Sequence, residues 1–273
     1  MAPVAGYWGP RTASANFCEP DYLHSHYVAE LANTVTSFPI MLVGLAGLVL
    51  CRRQKLGRAQ EAAYAVVAVV GLGSIAFHAT LLRSGQVLDE LPMLWAVLSL
   101  ICVVLDTTEA RRARQPGAVP QDSAQQRRIR AALLFYCISA ACLYFSAGFE
   151  AFVITYALSV GALIALAVQS MFRKQPPAGD LPKRLLVAAA LTYAGGFVVL
   201  WLPGELLCHR VPLMQRLPMH ALFHLTSAAG PHLGLTAFAL ARHEHERPTA
   251  PRSLLFAGLP AIERGAALIE KAA

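Results

Sequence analysis

Long apolar blocks run through this sequence, and they restrict what the chain can fold into more than any other feature. Seven blocks reach the roughly 20 residues that a helix needs to cross the hydrocarbon core of a bilayer. They lie at about 28–51, 60–82, 87–106, 131–148, 150–171, 185–202 and 218–241. Only 14% of the residues are charged, whereas soluble domains carry about 25%. The sequence therefore predicts an all-α integral membrane protein, a bundle of seven transmembrane helices, and it disfavours a soluble enzyme.

The basic residues are spread unevenly along the chain, and their distribution predicts an orientation. Of the 23 Lys and Arg residues, 19 lie in the connectors 52–58, 107–130 and 172–185 and in the tail from residue 242 onward. Cytosolic segments of membrane proteins are enriched in Lys and Arg, so we expect the N-terminus on the lumenal or extracellular side and the C-terminus in the cytosol. The net charge of +7 is then a topology signal and requires no nucleic acid.

The same topology divides the chain into a membrane domain and a tail. We expect residues 1–242 to form one seven-helix domain, with residues 1–27 as a lumenal segment, and residues 243–273 to form a cytosolic tail. Cys18 and Cys208 both fall on the predicted lumenal side, where disulfides persist. We predict that they form a disulfide, and the alternative is two free thiols.

Histidines inside apolar spans are costly to bury and are therefore candidates for function. His220 and His224 are four residues apart, so they lie on one helix face about 6 Å from each other. His78 ends the second predicted span, and the predicted orientation places all three histidines on the lumenal side. Three histidines with a fourth position open to water are typical of a catalytic zinc site. Each histidine taken alone has a simpler interpretation as a hydrogen-bonding residue at the membrane interface.

Asp89 and Ser74 are the catalytic candidates beside these histidines. Ser74 shares a helix face with His78, and the connection after His78 is long enough to return Asp89 to its side. A carboxylate can accept a proton from a zinc-bound water, and a hydroxyl can donate to a developing oxyanion. Ser74 alone also fits a small packing residue between helices. Glu90 is expected to point away from Asp89 near a helix start, with Pro92 in the first turn.

An acidic segment precedes the first span. Asn16, Glu19 and Asp21 lie close together in the sequence, and Glu30 stands just inside the span. Carboxylate, amide and backbone oxygens at such spacing suit calcium, although the spacing is not that of an EF-hand loop. The alternative is a helix cap formed by Glu19 and Asp21, with Glu30 paired to another cation. Asn33 and Ser37 follow Glu30 on one helical face and are expected to continue a polar lining.

Several multi-residue motifs, all in the same order, resemble those of the alkaline ceramidases. The resemblance covers residues 6 to about 240. It rests on Gly6-Tyr7-Trp8-Gly9-Pro10, Phe17-Cys18-Glu19, Ala29-Glu30, Asn33-Thr34, Gly73-Ser74, Phe77-His78, Leu88-Asp89-Glu90-Leu91-Pro92-Met93 and the pair His220 and His224.

The resemblance implies a seven-helix membrane amidase that cleaves ceramide, dihydroceramide or phytoceramide to a sphingoid base and a fatty acid. An endoplasmic reticulum or Golgi membrane is the expected location. Ser74 and Asp89 would be catalytic. The implied metal ligands are His78, His220 and His224 for zinc, and Asn16, the backbone oxygen of Phe17, Glu19, Asp21 and Glu30 for calcium. Asp is more frequent in the family at the position of Asn16, and Asn at that of Asp21; this exchange preserves the ligand charge.

Two other functions fit part of the pattern. A zinc-containing seven-helix receptor of the progestin and adiponectin receptor type also uses three histidines, but that family tends to have the opposite orientation. A proton or metal transporter needs polar residues through the full depth of the membrane. We expect the cytosolic halves of the spans to be almost wholly apolar, as in residues 65–72, which disfavours a transporter.

Overall fold

Helices dominate the computed structural model, which describes residues 6–117, 123–173, 178–208, 210, 211, 213, 214, 217–243, 252–256 and 259–263. The helices are α1 (Leu31–Gln54), α2 (Arg58–Thr80), α3 (Arg83–Arg112), α4 (Ser123–Val168), α5 (Asp180–Gly196), α6 (Leu202–Leu207) and α7 (Met219–His243). One π-helical turn at Gln169–Arg173 extends α4, and another at Phe197–Trp201 joins α5 to α6. After α7, β1 (Arg252–Phe256) and β2 (Leu259–Glu263) pair as an antiparallel hairpin.

Many of these helices have the length and composition of membrane spans. Among the described residues, five helical segments are long and apolar enough to cross a bilayer: Leu31–Gln54, Arg58–Thr80, Arg83–Arg112, Arg127–Arg173 and Asp180–Leu207. Large apolar side chains on the outer faces of α4 and α5 stay exposed, such as Phe135 at 73% and Leu191 at 70%. Exposed apolar faces of this extent are expected where lipid surrounds a helix. The prediction of a helical membrane protein is confirmed at this level.

The longest helix, α4, consists of two antiparallel arms. The backbone leaves the helical conformation at Gly148, where φ is 78° and ψ is −153°, a region that glycine tolerates. The Tyr136 hydroxyl donates to the Thr155 carbonyl at 3.1 Å and lies 2.8 Å from Ser159 Oγ. A straight helix would separate residues 136 and 159 by about 35 Å. The chain therefore reverses at Gly148, close to the predicted boundary between the fourth and fifth blocks.

Glycines allow α1 and α2 to pack closely. A Cβ atom at Gly44 would lie 2.3 Å from the Ala68 backbone nitrogen, and one at Gly71 would lie 2.2 Å from that of Met41. Small residues at helix contacts are typical of membrane proteins, because packing replaces the hydrophobic driving force there. α7 packs against α1, α3 and α5 and so completes the core of the bundle.

Residues 6–30 fold over one end of the bundle, which we call the N-terminal end. The backbone N–H groups of Ala29 and Glu30 each donate to a carbonyl near the end of α2 at 2.9 Å. The disulfide between Cys18 and Cys208 joins this segment to the chain just after α6, as the sequence predicts. The segment is therefore attached to two separate parts of the bundle.

Basic residues collect at the opposite end. Arg52 lies in the last turn of α1, and the buried Arg111 in the last turn of α3 donates from Nη1 to the Ser170 carbonyl at 3.0 Å. Arg114 donates to the carbonyl of Arg242 in the last turn of α7. The two ends of the bundle therefore differ clearly in charge.

The position of α3 corrects one expectation from the sequence. The helix begins at Arg83, four residues before the predicted block, so Pro92 lies in the helix interior and not in its first turn. Glu90 is likewise away from the helix start and is buried, with 3% of its surface exposed. Only residues 81 and 82 separate α2 from α3. The Arg83 N–H at the start of α3 donates to Thr12 Oγ1 at 2.8 Å, so the N-terminal segment satisfies an amide that has no partner within the helix.

Candidate metal centre

The three histidines that the sequence singles out converge at the N-terminal end, between α2 and α7. One ligand nitrogen from each ring lies within 4.8 Å of the others. The ring centroids of His78 and His220 are 5.1 Å apart, those of His78 and His224 are 4.9 Å apart, and those of His220 and His224 are 4.6 Å apart. His78 and His224 are buried. Three imidazoles at this spacing can hold one metal ion.

A carboxylate orients His78. Its Nδ1 donates to Glu30 Oε2 at 2.5 Å, which leaves Nε2 as the nitrogen with the free lone pair. His78 Nε2 is buried and has no hydrogen-bond partner among the described residues. Metal-binding histidines almost always donate their second nitrogen to a group of this kind, which sets the tautomer and the ring orientation.

Hydroxyl groups of α1 orient His224 in the same way. Thr36 Oγ1 donates to the Ala32 carbonyl at 2.8 Å, so it accepts from His224 Nδ1 at 3.0 Å. This assignment leaves the Nε2 lone pair of His224 available for a metal. Phe17 stacks on the third ring, His220, with the centroids 3.6 Å apart.

The donor set fits a metal ion. Within the described part of the chain, His220 Nδ1 is buried without a hydrogen-bond partner, as is His78 Nε2. A buried polar atom with no partner costs free energy, which a bound cation would recover. Neutral nitrogen ligands favour zinc or a related transition metal over calcium or magnesium.

A cavity of about 60 Å³ lies beside the histidines. Its polar wall is formed by Ser74, Asp89, Glu90, His220, His224 and Ser227, and its apolar wall includes Phe17, Ile40, Val70, Phe77, Met93, Phe149, Trp201 and Phe223. Asp89 and Ser74 are buried, at 8% and 2% exposure. The structure thus brings both predicted catalytic residues to one cavity with two of the three histidines.

Close packing of α2 on α3 places these two residues together. Because Pro92 lacks an N–H group, the Leu88 carbonyl has no donor four residues later in α3. Gly73 packs directly on that carbonyl, and a Cβ there would lie 2.1 Å from the Leu88 oxygen. This approach joins the helical turns that carry Ser74 and Asp89.

The Ser74 hydroxyl is connected to α1. Ser37 Oγ donates to the Asn33 carbonyl at 2.7 Å, so Ser74 is the donor in the 2.9 Å hydrogen bond to Ser37. Asn33 Nδ2 donates to Glu30 Oε2 at 3.1 Å. The polar lining expected along this face of α1 is therefore present.

Sequence reasoning missed three residues of this site. Glu90 is expected from the sequence to point away from Asp89, but both residues line the same cavity, because successive helical residues are only about 100° apart. Ser227 lines the cavity and lies three residues after His224, so helical spacing was a usable signal for it. Thr36 left no signal in the sequence, because its role depends on how α1 packs against α7.

Glu19 caps the first turn of α1. Its Oε1 accepts from the Ala32 N–H at 2.7 Å, and its Oε2 accepts from the Asn33 N–H at 2.9 Å. These amides have no partner within the helix, so the carboxylate satisfies them. The structure thus shows the capping role that the sequence allowed as an alternative for this residue. Asp21 does not share it, because its Oδ2 accepts from Asn16 Nδ2 at 3.4 Å.

Burial of the carboxylates in the acidic segment costs free energy in their charged form. Burial raises the pKa of both Glu19 and Asp21, and the charge of Glu30 adds to the effect. Burial also raises the pKa of Glu30 to about 7. Asn16 Oδ1 and Asp21 Oδ1 are buried acceptors without a donor in the described residues. Phe17 contributes its N–H, which donates to Glu30 Oε1 at 3.2 Å.

The fold and the site define the class of protein: a helical membrane protein with three histidines that can hold one metal ion, next to a serine and a carboxylate. A family model described as Ceramidase matches residues 9–263. The chain belongs to the ceramidase family.

Named relatives agree with this assignment. Alkaline ceramidase 3 of Mus musculus is 40% identical over 99 residues, which are 35% of this chain and 37% of that protein. Alkaline ceramidase of Arabidopsis thaliana is 32% identical over 113 residues, 41% of this chain and 44% of that protein. These two matches span less than half of each relative. Alkaline ceramidase 1 of Homo sapiens is 23% identical over 262 residues, 93% of this chain and 94% of that protein.

Proposed function

We propose that the protein hydrolyses the amide bond of ceramide within the membrane and releases a sphingoid base and a fatty acid. The observation that carries the proposal is the convergence of three imidazoles, two of which line one cavity together with Ser74 and Asp89. Family membership supports the substrate class, because the relatives are named alkaline ceramidases. Zinc is the proposed metal, since three histidine ligands with an open position are typical of catalytic zinc.

The residues of the chain carry out the proton transfers in this proposal. Zinc, when bound, polarises the amide carbonyl and lowers the pKa of water. Asp89 accepts a proton from the water while the water oxygen bonds to the carbonyl carbon of the substrate. Asp89 then returns that proton to the amide nitrogen as the C–N bond breaks. The Ser74 hydroxyl turns from Ser37 toward the developing oxyanion and stabilises it.

Apolar cavities next to the site suit the two hydrocarbon chains of ceramide. A cavity of about 270 Å³ shares Met93, Trp201 and Phe223 with the catalytic cavity. A further cavity of about 130 Å³ shares Tyr156 and Tyr193 with the cavity of about 270 Å³ and continues between α3, α4, α5 and α7. This continuity supports substrate binding from the bilayer, with the amide at the metal centre and the chains in the bundle.

The proposed topology has seven spans, with the arms of α4 counted separately and α7 as the last. Its N-terminus is lumenal and its C-terminus cytosolic, in an endoplasmic reticulum or Golgi membrane. The disulfide at the N-terminal end and the basic residues at the opposite end support this orientation. Protease treatment of sealed microsomes that contain the full chain, tagged at both termini, tests it. Protection of the N-terminal tag alone is expected; protection of the C-terminal tag alone would favour the receptor orientation.

Release of fatty acid from a ceramide panel tests the reaction. We expect the purified wild type to release fatty acid, to lose activity with a zinc chelator and to recover it with added zinc. The His220→Ala variant should bind no zinc and release no fatty acid. Equal turnover by the two proteins would remove the proposed function.

We also propose a calcium ion at the acidic segment, with oxygens of Asn16, Phe17, Glu19, Asp21 and Glu30 as ligands. Support comes from Asn16 Oδ1 and Asp21 Oδ1, which are buried without a hydrogen-bond donor among the described residues, and from the raised pKa values of the carboxyls. A divalent cation would offset the free-energy cost of burying these oxygens and these charges. Calcium should raise the unfolding temperature of the wild type and not that of an Asp21→Ala variant. If calcium changes the unfolding temperature of both proteins equally, the calcium site is contradicted, and the role of Glu19 is only to cap α1.

A further inference from the structure

Glu90 is a buried carboxylate in the wall of the catalytic cavity that the proposed reaction does not use. Its Oε1 accepts from Gln86 Nε2 at 2.8 Å. Its Oε2 is buried and has no hydrogen-bond partner among the described residues. Leaving a buried carboxylate oxygen without a hydrogen-bond partner costs free energy, and this cost indicates that Oε2 binds a polar group of a ligand.

The N-terminal segment holds this carboxylate in place through Gln86. Gln86 Oε1 accepts from the Ser14 N–H at 2.9 Å and from Arg83 Nη1 at 3.0 Å. These donors determine which side of the Gln86 amide is oxygen, so Nε2 faces Glu90. The Glu90 side chain is therefore fixed with Oε1 occupied and Oε2 available.

A second unpaired group lies near the first. Tyr144 is fully buried in α4, packs under the Arg83 guanidinium at 4.7 Å, and is near enough to Glu90 for a weak hydrogen-bonding interaction between the two side chains. Within the described residues, however, its hydroxyl has no partner at ordinary hydrogen-bond distance and angle. One acceptor and one donor are thus adjacent without a well-formed hydrogen bond between them. A hydroxyl group satisfies both, because it accepts from Tyr144 and donates to Glu90 Oε2.

We propose that Glu90 and Tyr144 bind a hydroxyl group of the sphingoid base and thereby select ceramides over simpler fatty amides. This inference rests on the proposed function. Ceramide carries hydroxyl groups on C1 and C3, and both carbons are bonded to C2, which bears the amide nitrogen. Because Glu90 directly follows Asp89 and lines the same cavity, a hydroxyl bound there lies next to the reacting amide.

A fatty amide without that hydroxyl would leave the buried pair unsatisfied. Sites built to bind a substrate hydroxyl reject analogues that lack it for this reason. The discrimination should amount to about 10- to 100-fold in kcat/KM, the range expected for leaving one or two buried polar groups unpaired.

The test compares three substrates with one acyl chain: dihydroceramide, its 1-deoxy analogue and its 3-deoxy analogue. The wild type should prefer dihydroceramide over at least one analogue by about 10- to 100-fold in kcat/KM. In Glu90→Leu, kcat/KM for dihydroceramide should fall while that for the rejected analogue changes little, so the ratio approaches one. The analogue that is rejected identifies the hydroxyl. An equal fall for all three substrates, or an unchanged ratio, would overturn the assignment.

Tyr144→Phe provides a second variant, because Phe has nearly the same shape as Tyr. It tests the hydroxyl-binding site even if Glu90→Leu does not fold. It should also reduce the ratio while bound metal stays at the wild-type level. Tyr136→Phe is the matched control, because Tyr136 lies on the same arm of α4 and bonds to Thr155 and Ser159 instead. Its substrate ratios should not change.

The design separates the two proposals. A wild type that does not cleave dihydroceramide contradicts the proposed function. A wild type that cleaves all three substrates equally contradicts only the hydroxyl site.

Discussion

Two buried polar clusters lie on the same helices, at opposite ends of the bundle, and they have different properties. At the N-terminal end, His78, His220 and His224 face one another, and His78 Nε2 and His220 Nδ1 are buried without hydrogen-bond partners among the described residues. At the opposite end, Tyr64 Oη lies 2.9 Å from His232 Nδ1, and Gln60 Nε2 donates to the Leu235 carbonyl at 3.1 Å. The second cluster contradicts the expectation that this half of the spans is almost wholly apolar.

The difference shows what distinguishes a candidate site from packed polar residues. His232 lies eight residues after His224, about 12 Å further along α7, and its Nδ1 lies 2.9 Å from the Tyr64 hydroxyl. Its cavity measures about 20 Å³, enough for roughly one water, against about 60 Å³ at the metal centre. Potential metal ligands that converge beside a cavity, and not merely a buried histidine, therefore distinguish the candidate site.

Apolar packing separates the two clusters. Ile40, Val67 and Ala228 form a buried cluster from α1, α2 and α7 between them. A transporter would need polar groups along this path, so the separation supports the hydrolase proposal over transport.

The largest expected effect compares two histidines of α7. His224→Ala should lose bound metal and about 1,000-fold or more in turnover, because a catalytic metal supplies several kcal/mol of stabilisation to the transition state. His232→Ala should keep both and lose about 1–3 kcal/mol of stability through the lost hydrogen bond to Tyr64 and the lost packing of its ring. Metal content, fatty acid release and unfolding curves measure these changes. Loss of metal in His232→Ala would erase the distinction between the clusters.

Asp89→Asn should have the second-largest effect on activity. The amide keeps the shape of the side chain but accepts no proton, so kcat should fall about 100- to 10,000-fold while metal content is unchanged. Asp106→Asn is the control on the same helix, since Asp106 lies 3.7 Å from Arg130 in an exposed ion pair at the opposite end. Wild-type turnover in Asp89→Asn would exclude Asp89 as the base.

Glu30→Gln should weaken metal binding by about 10- to 100-fold, because the neutral amide is a poorer acceptor for His78 Nδ1. Excess zinc should then restore turnover, which separates a positioning role from a direct one. Glu61→Gln removes a carboxylate that contacts Arg52 at 3.8 Å and should change neither quantity. Equal zinc affinity in wild type and Glu30→Gln would contradict this role.

Tyr64→Phe should have the smallest effect. It removes the hydrogen bond to His232, so we expect a loss of about 1 kcal/mol in the free energy of unfolding. Turnover and metal content should match the wild type. A change in either one would couple the second cluster to catalysis.

Much of the candidate site is predictable because it depends on short-range regularities. The four-residue spacing of His220 and His224 places them on one face in any helix, and the side of the membrane assigned to Cys18 and Cys208 follows from the charges of the connectors. The contributions of Glu90 and Thr36 were not predictable. Both depend on the rotation of one helix against another, which no local spacing specifies.

By itself, the sequence determined the helical membrane architecture, the histidine set, the serine and carboxylate beside it and the disulfide. Apolar length and helical periodicity are properties of contiguous residues, and they survive any arrangement of the helices. Only the tertiary structure decided the capping of α1 by Glu19, the hydrogen bond from His78 to Glu30 and the proximity of Glu90 to Tyr144. These features join residues that are distant in the chain, and close packing of specific helix faces decides which of them meet.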